Sequence, residues 1–171
     1  MRKSRGMGTK LDEIRAATAV DWPGIWEIFC DVVKNGDTYP YAPDTTEDEA
    51  RTLWLDIPQV TYVGIEAGRV AGTYYLKPNQ PGLGAHVCNA GYMVHADARR
   101  RGVGRQLCAH SLIEARRLGF SAMQYNLVVT TNAGAVRLWT EMGFETVGVL
   151  AQAFRHADLG PVDAYVMYRR L

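Results

Sequence analysis

An arginine- and glycine-rich turn over residues 94–104 (VHADARRRGVG) constrains this 171-residue chain more than any other stretch. It joins the apolar end of a predicted strand to the start of an amphipathic helix. Glycine lets a ligand approach the backbone, while the N-terminus of a helix has unpaired N–H groups and favours negative charge. The spacing Arg-x-x-Gly-x-Gly from Arg99 to Gly104 therefore predicts a diphosphate site. Taken alone, the stretch is equally typical of a solvated turn.

Two nucleotide-binding motifs do not account for this turn. Its order differs from Gly-x-x-x-x-Gly-Lys-Ser/Thr, which excludes a nucleotide P-loop, and no Gly-x-Gly-x-x-Gly precedes the helix, which disfavours a dinucleotide fold. Apolar residues at three-to-four spacing then predict a helix from Val103 to Leu118 that ends at Gly119. A strand-like run follows, and a second helix carries the string Asn132-x-x-Ala135-x-x-Leu138-Trp139-x-x-Met142-Gly143-Phe144.

These two motifs, in this order and at this separation, resemble those of the GCN5-related N-acetyltransferases (GNAT superfamily), which hold coenzyme A in such a loop. The resemblance implies an α/β (α+β) fold with a central, mostly antiparallel mixed sheet, splayed between the fourth and fifth strands, and flanking helices. It implies acetyl-CoA as cosubstrate. The residues that the resemblance and the loop assign to its binding are Met93, Val94, Arg99, Arg100, Arg101, Gly102, Val103, Gly104, Arg105, Asn132, Ala135 and Trp139.

The other patterns along the chain predict the element order β-α-α-β-β-β-α-β-α-β-β, which is the order of that fold. Asp21 is predicted to cap the first helix, and Thr46 and Glu49 form a capping box for the second. Alternating apolar residues indicate a hairpin around Ala67 and Gly68. The predicted elements are strands over 14–17, 60–66, 69–77, 86–94, 122–129, 146–150 and 162–168, the last two flanking a loop, and helices over 22–33, 46–55, 103–118 and 132–142.

Length and composition predict one enzyme-sized domain, because 171 residues with 47% hydrophobic residues bury a sizeable core. We expect residues 1–10 to form a loose tail and residues 11–171 a single GNAT domain. The net charge of +1 argues against a general nucleic-acid binder, and no apolar run is long enough to span a membrane. No signal peptide is apparent, and three cysteines in apolar runs predict reduced thiols and a cytoplasmic location. No Cys/His spacing indicates a metal site.

A narrower resemblance covers most of the chain from about Asp37 onward. The segments 36–41, 77–80, 86–91, 126–128 and 162–164 are similar to those of yeast enzymes that N-acetylate proline analogues such as azetidine-2-carboxylate. This implies substrate contacts for Asn89 and Asn126 and a cofactor contact for Asn132. Asparagine is depleted from strands, and a buried amide needs partners. Two such amides facing a gap between strands would hold a carboxylate and an amine, unless each only satisfies a strand bulge.

Acyl transfer from a thioester to an amine requires a donor for the developing oxyanion. The resemblance assigns that donor to the backbone N–H at Val94. Candidates for the general base are Asp37, Tyr39, Tyr41 and His95, of which the first three are also candidates for binding the acceptor. Trp139 stands where many family members carry a tyrosine that acts as general acid. Because an indole does not release its proton, we expect Trp139 to be either a wall of the site or a core residue.

The predicted function is therefore acetyl transfer to the amine of a small acceptor, such as an amino or imino acid. The segment from Asn35 to Asp44 is expected to cover the site, which favours a small-molecule partner over a peptide. A protein or peptide N-acetyltransferase and a non-catalytic acyl-CoA sensor are the alternatives. Neither a nucleic acid nor a membrane is expected as a partner, and the sequence leaves open whether the protein is a homodimer.

Overall fold

Seven strands form one sheet in the computed structural model, which describes residues 10–171. The tail expected over residues 1–10 lies outside this range apart from Lys10. The strands are β1 (Glu13–Ala16), β2 (Val60–Glu66), β3 (Arg69–Pro78), β4 (Val87–Val94), β5 (Ala122–Val129), β6 (Glu145–His156) and β7 (Gly160–Arg170). They lie in the order β1-β2-β3-β4-β5-β7-β6, and every neighbouring pair except β4 with β5 is antiparallel. The predicted mixed sheet is confirmed.

Four helices flank the sheet: α1 (Trp22–Lys34), α2 (Glu47–Arg51), α3 (Val103–Arg117) and α4 (Ala133–Glu141). The capping box before α2 is present, since Thr46 N–H donates to Glu49 Oε2 at 2.8 Å. The predicted continuation of α2 is a π-helical turn over Thr52–Asp56. This wider turn places Trp54 in the core, where its indole N–H donates to Thr73 Oγ1 at 3.1 Å.

Asp21 precedes α1 as predicted, but its side chain makes no capping hydrogen bond, so the predicted cap is wrong. The carboxylate turns back toward β1 and accepts hydrogen bonds from Arg15 Nη1 at 2.8 Å and Arg15 Nη2 at 2.9 Å. It also accepts the N–H of Thr18 at 2.7 Å. A guanidinium that binds both carboxylate oxygens is a stronger partner than a single backbone N–H.

Apolar side chains on the two faces of the sheet form two cores. Successive residues of a strand point to opposite faces. Accordingly Cys88 and Ala90 of β4 pack against α3, while Met93 of the same strand packs against α1. The sheet is thus covered on both faces, and a ligand reaches its middle strands only where two of them separate.

Strands β4 and β5 separate after three paired positions, Val87 with Ala122, Cys88 with Met123 and Asn89 with Gln124. The two strands continue to Val94 and Val129 without pairing to each other, which confirms the predicted splay. A bulge in β5 between Tyr125 and Val128, relative to β7, begins just after the last paired position. Since a bulge bends the strand that carries it, β5 turns away from β4 at this point.

The loop predicted between β6 and β7 is wrong. Strand β6 runs on to His156, and the connection is a turn over residues 157–159. A bulge lies between Leu150 and Phe154, with Gln152 at φ +51°. The bulge breaks the two-residue alternation, so the extended strand is not visible in the hydrophobic pattern.

Candidate active site

A cleft of about 540 Å³ opens where β4 and β5 separate. Its walls come from these two strands, from β3, from α4 and from residues 37–41 between α1 and α2. The predicted site residues that line it are Asp37, Tyr39, Tyr41, Asn89, Met93, Val94, Arg99, Asn126, Asn132, Ala135 and Trp139. The remaining predicted residues follow on the turn past β4 and the first turn of α3: Arg100, Arg101, Gly102, Val103, Gly104 and Arg105.

The backbone of β4 presents polar groups to this cleft. His95 N–H donates to Ala71 O on the β3 side at 2.9 Å. Because neighbouring residues of a strand direct their N–H and C=O groups to opposite sides, those of Tyr92 and Val94 face the side that β5 has left. The Tyr39 hydroxyl, which donates to Tyr92 O at 2.8 Å, occupies part of that side. The N–H of Val94 therefore points into the gap between the strands.

Asn89 joins the two strands at the last position where they pair. Its Nδ2 donates to Gln124 O at 2.9 Å, and its Oδ1 accepts the Tyr75 hydroxyl at 3.1 Å. The side chain is 7% exposed and borders the cleft. The amide thus satisfies backbone at the splay, as the structural alternative requires, and still presents an edge to the cleft.

Asn126 lies on the β5 wall of the cleft, at the bulge of that strand, and is exposed. Its Nδ2 donates to Asn79 Oδ1 at 2.7 Å, and its Oδ1 accepts Gln124 Nε2 at 2.9 Å. Both predicted asparagines line the cleft, with Asn89 held by Gln124 of β5 and Tyr75 of β3 and Asn126 held by Asn79 and Gln124.

An aromatic cover lies over the same end of the cleft. The rings of Tyr39 and Tyr41 stack with their centroids 5.7 Å apart. Gly91 makes room for this packing, because a Cβ there would lie 2.7 Å from the Tyr75 ring and 3.0 Å from the Tyr39 hydroxyl. Burial raises the pKa of Tyr39 well above its usual value and also raises the pKa of Tyr41. Both phenols therefore stay protonated near pH 7, which argues against either as the general base.

His95 is the fourth candidate base, and it lies outside the lining of the cleft. Its Nδ1 accepts the N–H of Asp97 at 3.2 Å, and its Nε2 lies 3.4 Å from Glu27 Oε1. These contacts hold the imidazole beside Glu27 of α1, outside the lining of the cleft. Of the four candidates, Asp37 alone combines a carboxyl group with a position in the cleft.

Three of the four arginines around the turn are ion-paired to other elements. These ion pairs connect the turn and the start of α3 to α1, β2 and α4, and so stabilise the conformation of the turn. Arg100 adopts φ +60° and forms no ion pair with any carboxylate within residues 10–171. The pairs are Arg99 with Asp31 at 2.6 Å, Arg101 with Glu66 at 2.5 Å and Arg105 with Glu141.

The first turn of α3 is open to a ligand. Gly102, at φ +85°, occupies the N-cap position and has no side chain to cap the helix. No atom lies within 4 Å of a Cβ built at this position. At Gly104 the nearest atom to such a Cβ is Leu138 Cδ2, at 3.5 Å. Uncapped N–H groups at the start of a 15-residue helix, with a backbone free of side chains, fit a diphosphate.

Trp139 of α4 forms a wall of the cleft, as predicted from its position in the motif. Its ring lies 4.9 Å from that of Tyr92 and 5.0 Å from that of Tyr125, measured between centroids. Asn132 caps the same helix, with its Oδ1 accepting the N–H of Ala135 at 3.2 Å. The cap and the aromatic contacts fix the orientation of α4 against the cleft.

Two residues of β3, Tyr75 and Lys77, line the cleft but were missed in the sequence. They are opposite Gly91 and Asn89 in the β3–β4 register. The two-residue alternation of side chains along β3 indicates which of them share a face of the sheet. It did not reveal which residue of β4 stands opposite, because that requires the register.

Comparison with known proteins identifies the family. The model of the Acetyltransferase (GNAT) family matches residues 5–144. The chain belongs to the GNAT family. N-acetyltransferase aca1 of Schizosaccharomyces pombe is 32% identical over 151 residues, covering 78% of this chain and 72% of that protein.

Solved structures of GNAT proteins share the fold. A GCN5-related N-acetyltransferase from Kribbella flavida is 45% identical with a TM-score of 0.88, covering 93% of this chain and 97% of that one. The acetyltransferase yncA from Salmonella typhimurium, solved with acetyl-CoA, has a TM-score of 0.79 at 24% identity, covering 95% of each chain. The predicted family and fold are confirmed, and the protein is an acetyltransferase.

Proposed function

We propose that this GNAT protein transfers the acetyl group of acetyl-CoA to the amine of a small acceptor, an amino or imino acid. The observation that carries the proposal is the covered cleft of about 540 Å³, which has two asparagine amides at one end. Tyr39 and Tyr41 stack over this end, which favours a small acceptor over a peptide. Acetyl-CoA is the cosubstrate of the family and of solved relatives.

The chain offers acetyl-CoA a diphosphate site and a separate wall for its pantetheine arm. The N–H groups of the first turn of α3 would hold the diphosphate, with Arg100 adding positive charge. Trp139, Asn132 and Ala135 would line the path of the arm toward Met93 and Val94 of β4. When bound, acetyl-CoA supplies an activated acyl group with a thiolate leaving group.

The reaction proceeds by direct attack through a tetrahedral intermediate. The neutral amine nitrogen of the acceptor forms a bond to the thioester carbon, and the carbonyl electrons move to oxygen. Val94 N–H, aimed into the gap, donates to that oxyanion. The carbonyl is then restored as the carbon–sulfur bond breaks, releasing coenzyme A as thiolate, and the nitrogen loses one proton.

Asp37 is the group in the cleft that we assign to accept this proton, directly or through water. No acid is required for the leaving group, because a thiol has a pKa of about 8.5 and departs readily as thiolate. Trp139 therefore binds and shields the reacting atoms without donating a proton.

Turnover on a panel of amines tests the proposal. The full-length protein is incubated with acetyl-CoA and with amino acids, imino acids, simple amines or short peptides, while the release of free thiol is followed. Thiol release with small amines and none above background with peptides supports the proposal. Release only with peptides contradicts it, and the protein would then be a peptide N-acetyltransferase.

We also propose that the protein works in the cytoplasm and as a homodimer, with residues 11–171 acting as a single GNAT domain. All three cysteines are free thiols, and burial raises the pKa of Cys88 to about 12. Within residues 10–171 no helix is long and apolar enough to cross a membrane.

The proposed homodimer rests on an exposed sheet edge. Edge strand β6 exposes Val147 and Val149, and such edges favour pairing with another chain. Light scattering of the purified protein tests the dimer.

A further inference from the structure

Lys77 lies on the cleft side of the sheet beside Asn89. The two residues stand opposite each other in the antiparallel register of β3 and β4, and opposite residues direct their side chains to the same face. The Lys77 ammonium is 5.3 Å from the centroid of the Tyr75 ring. Tyr75 in turn donates its hydroxyl to Asn89. Lysine, tyrosine and asparagine thus form one contiguous surface at the acceptor end of the cleft.

The charge of Lys77 is not neutralised within the described chain. No carboxylate of residues 10–171 forms an ion pair with it, and its recorded contact is with the Tyr75 ring. Arg99, the other cation bordering the cleft, is bound to Asp31 at 2.6 Å. A partly buried ammonium without a counterion attracts an anion into the cleft.

The two asparagines that line the cleft with Lys77 offer further hydrogen-bond donors. An asparagine amide has two N–H bonds and one oxygen. Asn89 uses its oxygen for Tyr75 and one N–H for Gln124 O, and that carbonyl fixes which way the amide faces. Asn126 likewise uses its oxygen and one N–H within the sheet edge. Each amide keeps one N–H. The ammonium of Lys77 and these two amide N–H groups together match the charge and the acceptor oxygens of a carboxylate.

We infer that Lys77 binds the α-carboxylate of the acceptor, together with the remaining N–H groups of Asn89 and Asn126. This inference rests on the proposed function and makes it more specific. The acceptor is a free amino or imino acid, and an amide, a simple amine or a peptide N-terminus lacks the group that Lys77 recognises. Lys77 is a specificity-determining residue, since it acts on the carboxylate of the acceptor and not on the amine that is acetylated.

Paired substrates that differ only in the carboxylate test this assignment. The kcat/KM of proline and azetidine-2-carboxylate is compared with that of their carboxamides, using the wild type, Lys77→Met and Lys77→Arg. We expect the wild type to favour the free acids by about tenfold or more. Lys77→Met should lose this preference through a higher KM for the acids, with the carboxamides nearly unchanged. Lys77→Arg should keep part of the preference.

Lys34→Met is the matched control, because Lys34 lies in the last turn of α1 outside the lining of the cleft. It should leave every kcat/KM value unchanged. A Lys77→Met protein with the wild-type ratio of acid to carboxamide overturns the inference, as does an equal loss on both. Thermal unfolding of each variant excludes a general loss of structure as the cause.

Failure of the proposed function gives a different result. A wild type that acetylates small amines, with no preference for the free acids over their carboxamides, overturns the role of Lys77 alone. A wild type that acetylates no amine overturns the small-acceptor proposal. The carboxylate site is then decided by calorimetric titration of azetidine-2-carboxylate into the protein with coenzyme A present. Absence of binding overturns the assignment of Lys77, and binding that Lys77→Met abolishes supports it.

Discussion

Gly104 is the residue at which the diphosphate site is most directly tested. A Cβ at this position meets Leu138 at 3.5 Å and Val94 at 3.9 Å, which are ordinary contacts. Gly104→Ala should therefore fold normally and keep its affinity for acetyl-CoA within a small factor. Gly104→Asp places a carboxylate beside the first N–H groups of α3. We expect it to weaken binding by about tenfold or more, equivalent to about 1.4 kcal/mol.

Calorimetric titration of acetyl-CoA into both folded variants measures this difference. The alanine variant separates the effect of charge from that of adding any side chain. If Gly104→Asp binds as tightly as Gly104→Ala, the diphosphate does not lie at this turn.

Substitution of Trp139 tests whether this residue lines the cleft or acts as a general acid. Its ring contacts Tyr92 and Tyr125, and phenylalanine preserves an aromatic ring there. Trp139→Phe removes the indole N–H, a loss of about 1 kcal/mol if it makes one hydrogen bond. We expect most of kcat to survive at saturating acetyl-CoA, whereas Trp139→Ala should raise the KM for acetyl-CoA. A fall in kcat of about a thousandfold in Trp139→Phe, about 4 kcal/mol, would mean that the indole takes part in the chemistry.

The connection between β1 and α1 depends on the ion pair of Arg15 with Asp21. Hydrogen bonds from Arg15 are the main cause that lowers the pKa of Asp21 to about 2 from its usual value of 3.8. A depressed pKa in the folded state means that the ionised carboxylate stabilises the fold. This contribution is complete above the unfolded-state pKa of 3.8 and is lost as the pH falls toward about 2.

Asp21→Asn should consequently lower the free energy of unfolding at pH 7, by about 1–3 kcal/mol for a hydrogen bond to a charged group. The difference from the wild type should narrow between pH 3.8 and 2. Urea unfolding at pH 7 and pH 3 measures it. Glu13→Gln is the control, because Glu13 contacts the same arginine at 3.5 Å from an exposed position and should matter little. A difference that is constant with pH contradicts this account.

Elements with a local signal were predicted well from the sequence. The Thr46 capping box and the helix periodicity of α3 depend on neighbours within a few residues. Asp21 was placed correctly but given the wrong partner, since Arg15 lies on the preceding strand. The extent of β6 was missed because an exposed edge strand with a bulge has no apolar face to set a pattern.

At the scale of the molecule, Tyr39, Tyr41, Asn89, Asn126 and Asn132 were predicted at the site and line the cleft, whereas Tyr75 and Lys77 of β3 were missed. The turn and Asn132 sit in two motifs whose spacing is visible along the chain. Tyr75 and Lys77 reach the cleft through the pairing and the register of β3 with β4. Those depend on contacts between residues far apart in sequence.

The segment that carries Tyr39 and Tyr41 is also held by a contact between residues far apart in sequence. Gly36, at φ +61°, accepts the N–H of Ala157 at 2.9 Å, which ties the segment after α1 to the β6–β7 turn. A Cβ on Gly36 would lie 3.0 Å from the Cβ of Ala157. Gly36→Ala should therefore shift the cover residues, raising the KM of the acceptor severalfold with acetyl-CoA affinity unchanged.

Gly68→Ala is the matched control for this change. Gly68 has φ +75° in the β2–β3 turn and no atom within 4 Å of a Cβ, so alanine meets backbone strain there without a collision. Both variants should lose about 1 kcal/mol of stability from the left-handed conformation. Steady-state kinetics with a saturating concentration of acetyl-CoA then isolates the contact with Ala157. If the two variants have the same acceptor KM, the β6–β7 turn does not position the cover, and the cleft is shaped by residues near α1 alone.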